Sequence, residues 1–183
     1  MGLQFYLPDG DGEGGHTVFS LEMRAKTAQA PKNEEVSDIL DNDCVVIFAD
    51  DDKITRLSYK SLSKMIGAAH HMILGATFEE ANGLVETVLE AEREHGGRNV
   101  ICIFDQNMDT YAEGHVLGTD IVSKLRIRKF SGLIFIRSAN DDIISKLLYM
   151  KSGADATLSK SPKPMPDLAK EIVRLIKLLD SAA

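Results

Sequence analysis

The feature that most constrains the fold is a set of short apolar runs, each ending on a polar tip. Ile101-Cys102-Ile103-Phe104 stops at Asp105, and Val45-Val46-Ile47-Phe48-Ala49 delivers Asp50, Asp51 and Asp52. Leu133-Ile134-Phe135-Ile136 leads through Arg137 to Ser138, and Ala156-Thr157-Leu158-Ser159 leads to Lys160. Apolar runs without alternation are the pattern of strands covered on both faces, as in a parallel sheet. In such a sheet the C-terminal tips lie along one edge, where open α/β folds place their ligands. Neighbouring strands of this kind would pool three or four carboxylates, a hydroxyl and an ammonium in one crevice.

Between the runs the period turns helical. Ile54, Leu57, Leu62, Met65 and Ile66 recur at helical spacing, and Gly67 reads as a C-cap. Met72 to Glu80 reads as a weaker strand, and Leu84, Val85, Val88 and Leu89 mark a helix ending near His95-Gly96-Gly97. Asp109 to Gly118 reads as a loop, followed by Thr119 as the N-cap of a helix carrying Ile121, Val122, Leu125 and Ile127. Asn140 is expected to cap the next helix, with Asp141 and Asp142 in its first turn, Lys151 in its last and Gly153 beyond. Pro166 fits the first turn of a final helix with Leu168, Ile172, Leu175, Ile176 and Leu179 on one face. Five strands alternating with five helices predict an α/β fold over residues 44–183: a doubly wound, five-stranded parallel sheet with helices on both faces.

Residues 1–43 read as an extension and linker. A glycine-rich turn at Asp9–Gly15 precedes the alternating Thr17–Met23, and a polar stretch follows. The net charge of −7 leaves no basic footprint for nucleic acid. No apolar run reaches the ~18 residues that span a bilayer, and no secretory leader is legible. A cytoplasmic chain without direct membrane contact is expected. Tyr6 stands where N-myristoylation requires Ser or Thr. Cys44 and Cys102 lie in or beside strand-like runs and read as buried thiols of a reducing compartment. His70 and His71 read as structural, since adjacent residues point in different directions.

Clustered carboxylates resist ionising together unless a cation is present. Oxygen-only ligands favour Mg²⁺, with Mn²⁺ as the alternative, over zinc. Asp51 and Asp105 would hold such an ion, with Asp50 acting through water. Asp105 is then the candidate nucleophile toward phosphorus. Lys160 would neutralise a second phosphoryl oxygen and the Ser138 hydroxyl would bond a third.

In this order the motifs resemble the receiver domains of response regulators. Val45–Asp52 looks like their acidic first strand and Ile101–Met108 like their phosphoacceptor strand. Ile136-Arg137-Ser138-Ala139 looks like their switch strand and Gly153–Lys160 like their final segment, so the likeness spans about 44–180. The resemblance implies a flavodoxin-like strand order 2-1-3-4-5, and a metal site of Asp50, Asp51, Asp105 and the Asn107 backbone carbonyl. It implies catalytic roles for Asp105, Ser138 and Lys160, with phosphate arriving from a histidine kinase or histidine phosphotransfer protein. Asn107 and Asn140 stand where the family tunes the lifetime of its phosphate. A homodimer is left open. Three departures stand out: Lys160-Ser161-Pro162 replaces the usual Lys-Pro, Thr157 occupies the usual place of a switching aromatic, and the 109–118 loop is long.

The tract 9–23 resembles the last glycine turn and final strand of the ATP-binding domain of sensor histidine kinases. It reads equally as a stray hairpin or tail. The first reading, with no room for an output domain after the last helix, implies the C-terminal receiver of a hybrid histidine kinase; a stand-alone receiver is the near alternative. Competing functions are an inactive pseudo-receiver used for docking and a phosphatase of the haloacid dehalogenase class. The latter normally wants an acid where Asn107 stands. A flavodoxin-like nucleotide binder fits less well, since acids at the first tip repel phosphate.

Overall fold

A computed structural model describes residues 44–181, and the expected extension and linker over 1–43 lie outside them. The strands β1 (Val45–Ala49), β2 (His70–Leu74), β3 (Val100–Asp105), β6 (Leu133–Ser138) and β7 (Ala156–Ser159) form one sheet in the order β2-β1-β3-β6-β7. Every neighbouring pair in it is parallel. Counting sheet strands alone this is the order 2-1-3-4-5, as expected. Helices α1 (Lys53–Met65), α2 (Phe78–Asn82), α3 (Leu84–His95), α4 (Gly118–Ile127), α5 (Ile143–Lys151) and α6 (Met165–Asp180) fill the connections.

The sheet separates two apolar layers, which is why its strands lack polar alternation. Val45, Ile47 and Ala49 of β1 join a cluster with Leu84 and Val88 of α3 and Leu125 of α4. Val46 and Phe48 face the other way, toward Leu62 of α1 and Ile172 of α6. Register then aligns the tips: Ala49 pairs with Phe104, Asp105 with Arg137, and Ser138 with Ser159.

Four local expectations are corrected. The strand expected over Met72–Glu80 ends at Leu74, because Gly75 has φ +95° and a Cβ there would sit 2.8 Å from the Asp50 carbonyl oxygen. Thr77 then caps α2 by accepting from the Glu80 N–H. The 109–118 loop is closed at its base by an antiparallel pairing of β4 (Asn107–Met108) with β5 (Val116–Leu117). The chain therefore enters α4 directly, and Thr119 lies inside the helix bonded to Gln106 instead of capping it. At α5 the cap is Asp142, whose Oδ1 accepts from the N–H groups of Ile144 and Ser145 at 3.0 Å each; Asn140 lies outside the helix. In α1 the inward apolar residues are Tyr59 and Leu62, joined by Ile66 at its C-cap, while Ile54 and Leu57 are exposed. Among the described residues no helix is long and apolar enough to cross a membrane.

Candidate functional site

Asp50 directly follows β1, and Asp105 ends β3, the neighbouring strand, so their backbones arrive side by side. Asp50 is fully buried and Asp105 nearly so, while Asp51 is half-buried. One carboxylate oxygen from each of the three lies within 4.8 Å of the others. Lys160 reaches them from just past β7, where its N–H donates to the Ser138 carbonyl at 2.7 Å and extends the ladder by one step. Its Nζ lies 2.9 Å from Asp50 Oδ2 and 2.7 Å from Asp105 Oδ2. Residues 50, 51, 105 and 160 thus converge from three separate tips.

Each carboxylate is oriented by further donors. Asp50 Oδ1 accepts from the Asp52 N–H at 3.0 Å, and Oδ2 accepts from the Tyr59 hydroxyl at 3.2 Å. Asp51 Oδ2 accepts from the N–H groups of Asp109 and Thr110 at 2.7 and 2.8 Å, fastening the start of the long loop to the site. Asp52 turns away and caps α1 through Thr55. Behind Asp105 the backbone is crowded: a Cβ on Gly118 would stand 2.4 Å from the Asp105 carbonyl oxygen, so α4 can start there only on glycine.

Burial pushes the Asp105 carboxyl up to about 6, with the Asp50 charge adding to the effect and the bond from Lys160 opposing it. Burial alone would lower the Lys160 ammonium, but its bonds to Asp105 and Asp50 outweigh that and hold it above the usual lysine value. The cluster is therefore short of positive charge: three carboxylates gather beside one ammonium, which bonds Asp50 and Asp105, and Asp105 retains a proton more readily than an ordinary aspartate. An all-oxygen donor set with excess negative charge fits a hard divalent cation such as Mg²⁺ and does not fit a thiolate- or imidazole-seeking metal.

Ser138, at the tip of β6, is buried, and its Oγ accepts from the Asn140 N–H and from the Tyr149 hydroxyl, both at 3.1 Å. Asn107 sits on β4 with its side chain exposed, and Asn140 is exposed beyond β6. Thr157 is half-buried on β7. His70 and His71 are exposed on the edge strand β2 and do not join the carboxylate group. Sequence reasoning missed Tyr59, Arg137 and Tyr149. Arg137 interrupts β6 between Ile136 and Ser138, and that break in an apolar run was the visible clue. A cavity of about 390 Å³ lies under the long loop, lined by Asn107, Met108, Tyr111, His115 and Leu117 among others.

No family model matches the sequence, and no curated protein does. Solved structures do match. The signal receiver domain of a putative LuxO repressor protein from Vibrio parahaemolyticus superposes with a TM-score of 0.57 at 15% identity, covering 76% of this chain and 96% of that one. The receiver domain of the Francisella response regulator 1452 gives 0.55 at 24%, covering 74% and 98%. A response regulator receiver domain protein from Clostridium thermocellum gives 0.54 at 20%, covering 76% and 99%. The fold is that of response-regulator receiver domains, with the acidic cluster at its strand tips.

Proposed function

We propose that this chain is a receiver module of a histidine-to-aspartate phosphorelay, taking a phosphoryl group on Asp105 and releasing it by hydrolysis. The observation that carries the reading is the Lys160 Nζ bridge between Asp50 and Asp105 within a group of three carboxylates. Asp105 is the nucleophile: one of its oxygens forms a P–O bond as the P–N bond of a donor phosphohistidine breaks, and the leaving imidazole takes a proton from solvent. Lys160, already at hydrogen-bond distance from Asp105, follows the growing charge onto a phosphoryl oxygen. Ser138 turns its hydroxyl from acceptor to donor toward another. Mg²⁺, held by Asp51, Asp105 and the Asn107 carbonyl with Asp50 through water, would supply charge neutralisation and in-line positioning.

The donor is a histidine kinase or a histidine phosphotransfer protein, and a hybrid histidine kinase is the proposed setting. Incubation with acetyl phosphate and Mg²⁺ tests the chemistry. One acyl phosphate per chain is expected on Asp105, absent in Asp105→Asn and in EDTA. Label retained by Asp105→Asn at another carboxylate would overturn the assignment, and no label on the wild type would leave the fold serving as a docking module.

A further inference from the structure

Tyr59 projects from α1 into the core, stacked on Phe48 with ring centroids 4.5 Å apart. Its hydroxyl donates to Asp50 Oδ2 at 3.2 Å and accepts from Arg137 Nη1 at 3.3 Å. The Arg137 guanidinium carbon lies 5.7 Å from the Tyr59 ring centroid. Arg137 is the penultimate residue of β6, in register with Asp105. Its Nε is buried and has no hydrogen-bond partner among the described residues. A buried, unpaired guanidinium N–H is unfavourable, so packing does not account for an arginine at this point of an apolar strand. What the side chain does make is a bond to the hydroxyl that holds Asp50.

We infer that Tyr59 and Arg137 form a positioning relay that fixes the Asp50 carboxylate for a divalent cation, independently of Lys160. The inference rests on the metal-assisted reading above. Lys160 is shared between Asp50 and Asp105, and a phosphoryl group on Asp105 draws that ammonium away from Asp50. Asp50 then retains the Asp52 N–H and the Tyr59 hydroxyl, and Arg137 keeps that hydroxyl's lone pairs occupied so that its proton faces the carboxylate. Tyr59→Phe removes the hydroxyl and leaves the stacked ring in place.

Titration of the intact chain with Mg²⁺, in wild type, Tyr59→Phe, Arg137→Met and the double variant, tests the relay. Tyr59→Phe should weaken Mg²⁺ binding about tenfold, and should raise by the same factor the Mg²⁺ concentration that half-saturates labelling by acetyl phosphate. Arg137→Met should weaken binding in the wild-type background and change it less than about twofold in Tyr59→Phe. Thermal melts identify any variant that has lost its core, and Arg137→Leu, which likewise removes the donor and the charge, then replaces Arg137→Met with the same expectation. Unchanged or tighter binding in Tyr59→Phe overturns the relay alone, since wild-type binding still supports the metal site. Tighter binding for Arg137→Met in both backgrounds also overturns it, because that is the mark of a cation merely repelling the metal through space. A wild type that binds no Mg²⁺ overturns the relay together with the metal-assisted reading.

Discussion

The Tyr149 hydroxyl donates to Ser138 Oγ at 3.1 Å, joining the buried side of α5 to the tip of β6. The opposite side of the same helix exposes Ile143, Ile144, Leu147 and Leu148. Thr157 on β7 stands where the receiver resemblance places an aromatic, and here a helix supplies the aromatic partner of the Ser138 hydroxyl, the group proposed to bond the phosphoryl oxygen. A phosphoryl oxygen that claims the Ser138 hydroxyl competes for the same atom. Tyr149→Phe is expected to destabilise the protein by about 1 kcal/mol. It should also blunt the change in amide hydrogen exchange that beryllofluoride with Mg²⁺ produces across residues 143–151. An undiminished response in Tyr149→Phe would show that α5 does not read the state of Ser138.

Metal binding should depend on pH through Asp105. Its carboxyl holds a proton up to about pH 6 because it is buried beside Asp50. Protons and Mg²⁺ compete for it, so affinity rises with pH and levels off above that value. One pH unit below the midpoint, at pH 5, binding is expected to be about tenfold weaker than the plateau. Calorimetric titrations at pH 5, 6 and 7 measure this, and a flat profile would show that Asp105 is not a ligand.

The sheet and its tips were legible because each strand is covered on both faces, leaving apolar runs with abrupt polar ends. The final helix was equally legible from the single-face spacing of Leu168, Ile172 and Ile176, all buried. The α1 face was not: Ile54 and Leu57 carry the helical period but point outward, while Tyr59 turns in because its hydroxyl finds partners in Asp50 and Arg137. A tyrosine whose polar end is satisfied by distant residues has no local signature. Tyr149 was missed for the same reason. The cap of α5 is Asp142 and not Asn140 because the helix starts only at Ile143, while the Asn140 backbone N–H holds the preceding segment to Ser138, a bond set by tertiary placement.

Asp105→Asn should stabilise the metal-free protein, and more so at high pH. The folded carboxyl titrates near 6 against an ordinary 3.8, so the fold favours its protonated form. That advantage is complete below the unfolded value and is lost as pH rises from there through the folded value. Above it, the ionised form costs the fold at most about 3 kcal/mol, and near pH 4.5 about 1 kcal/mol. Urea unfolding in EDTA at both pH values should show Asp105→Asn gaining in that ratio. An equal gain at pH 4.5 and pH 8 would remove the ionised carboxylate as its cause.

Asp51 carries two separable duties, and two substitutions divide them. Its Oδ2 accepts from the Asp109 and Thr110 N–H groups, while its negative charge belongs to the carboxylate group that fits a cation. Asp51→Asn keeps an oxygen acceptor of the same reach and loses the charge. Asp51→Ala loses both. Both variants should bind Mg²⁺ more than about tenfold more weakly, the expected scale for removing a charged ligand. Only Asp51→Ala should free the loop, leaving two backbone N–H groups without their acceptor and raising amide exchange at Asp109 and Thr110. Loop protection lost equally in Asp51→Asn would mean that the negative charge, and not the acceptor, holds the loop, and that metal binding and loop closure draw on one and the same property of this side chain.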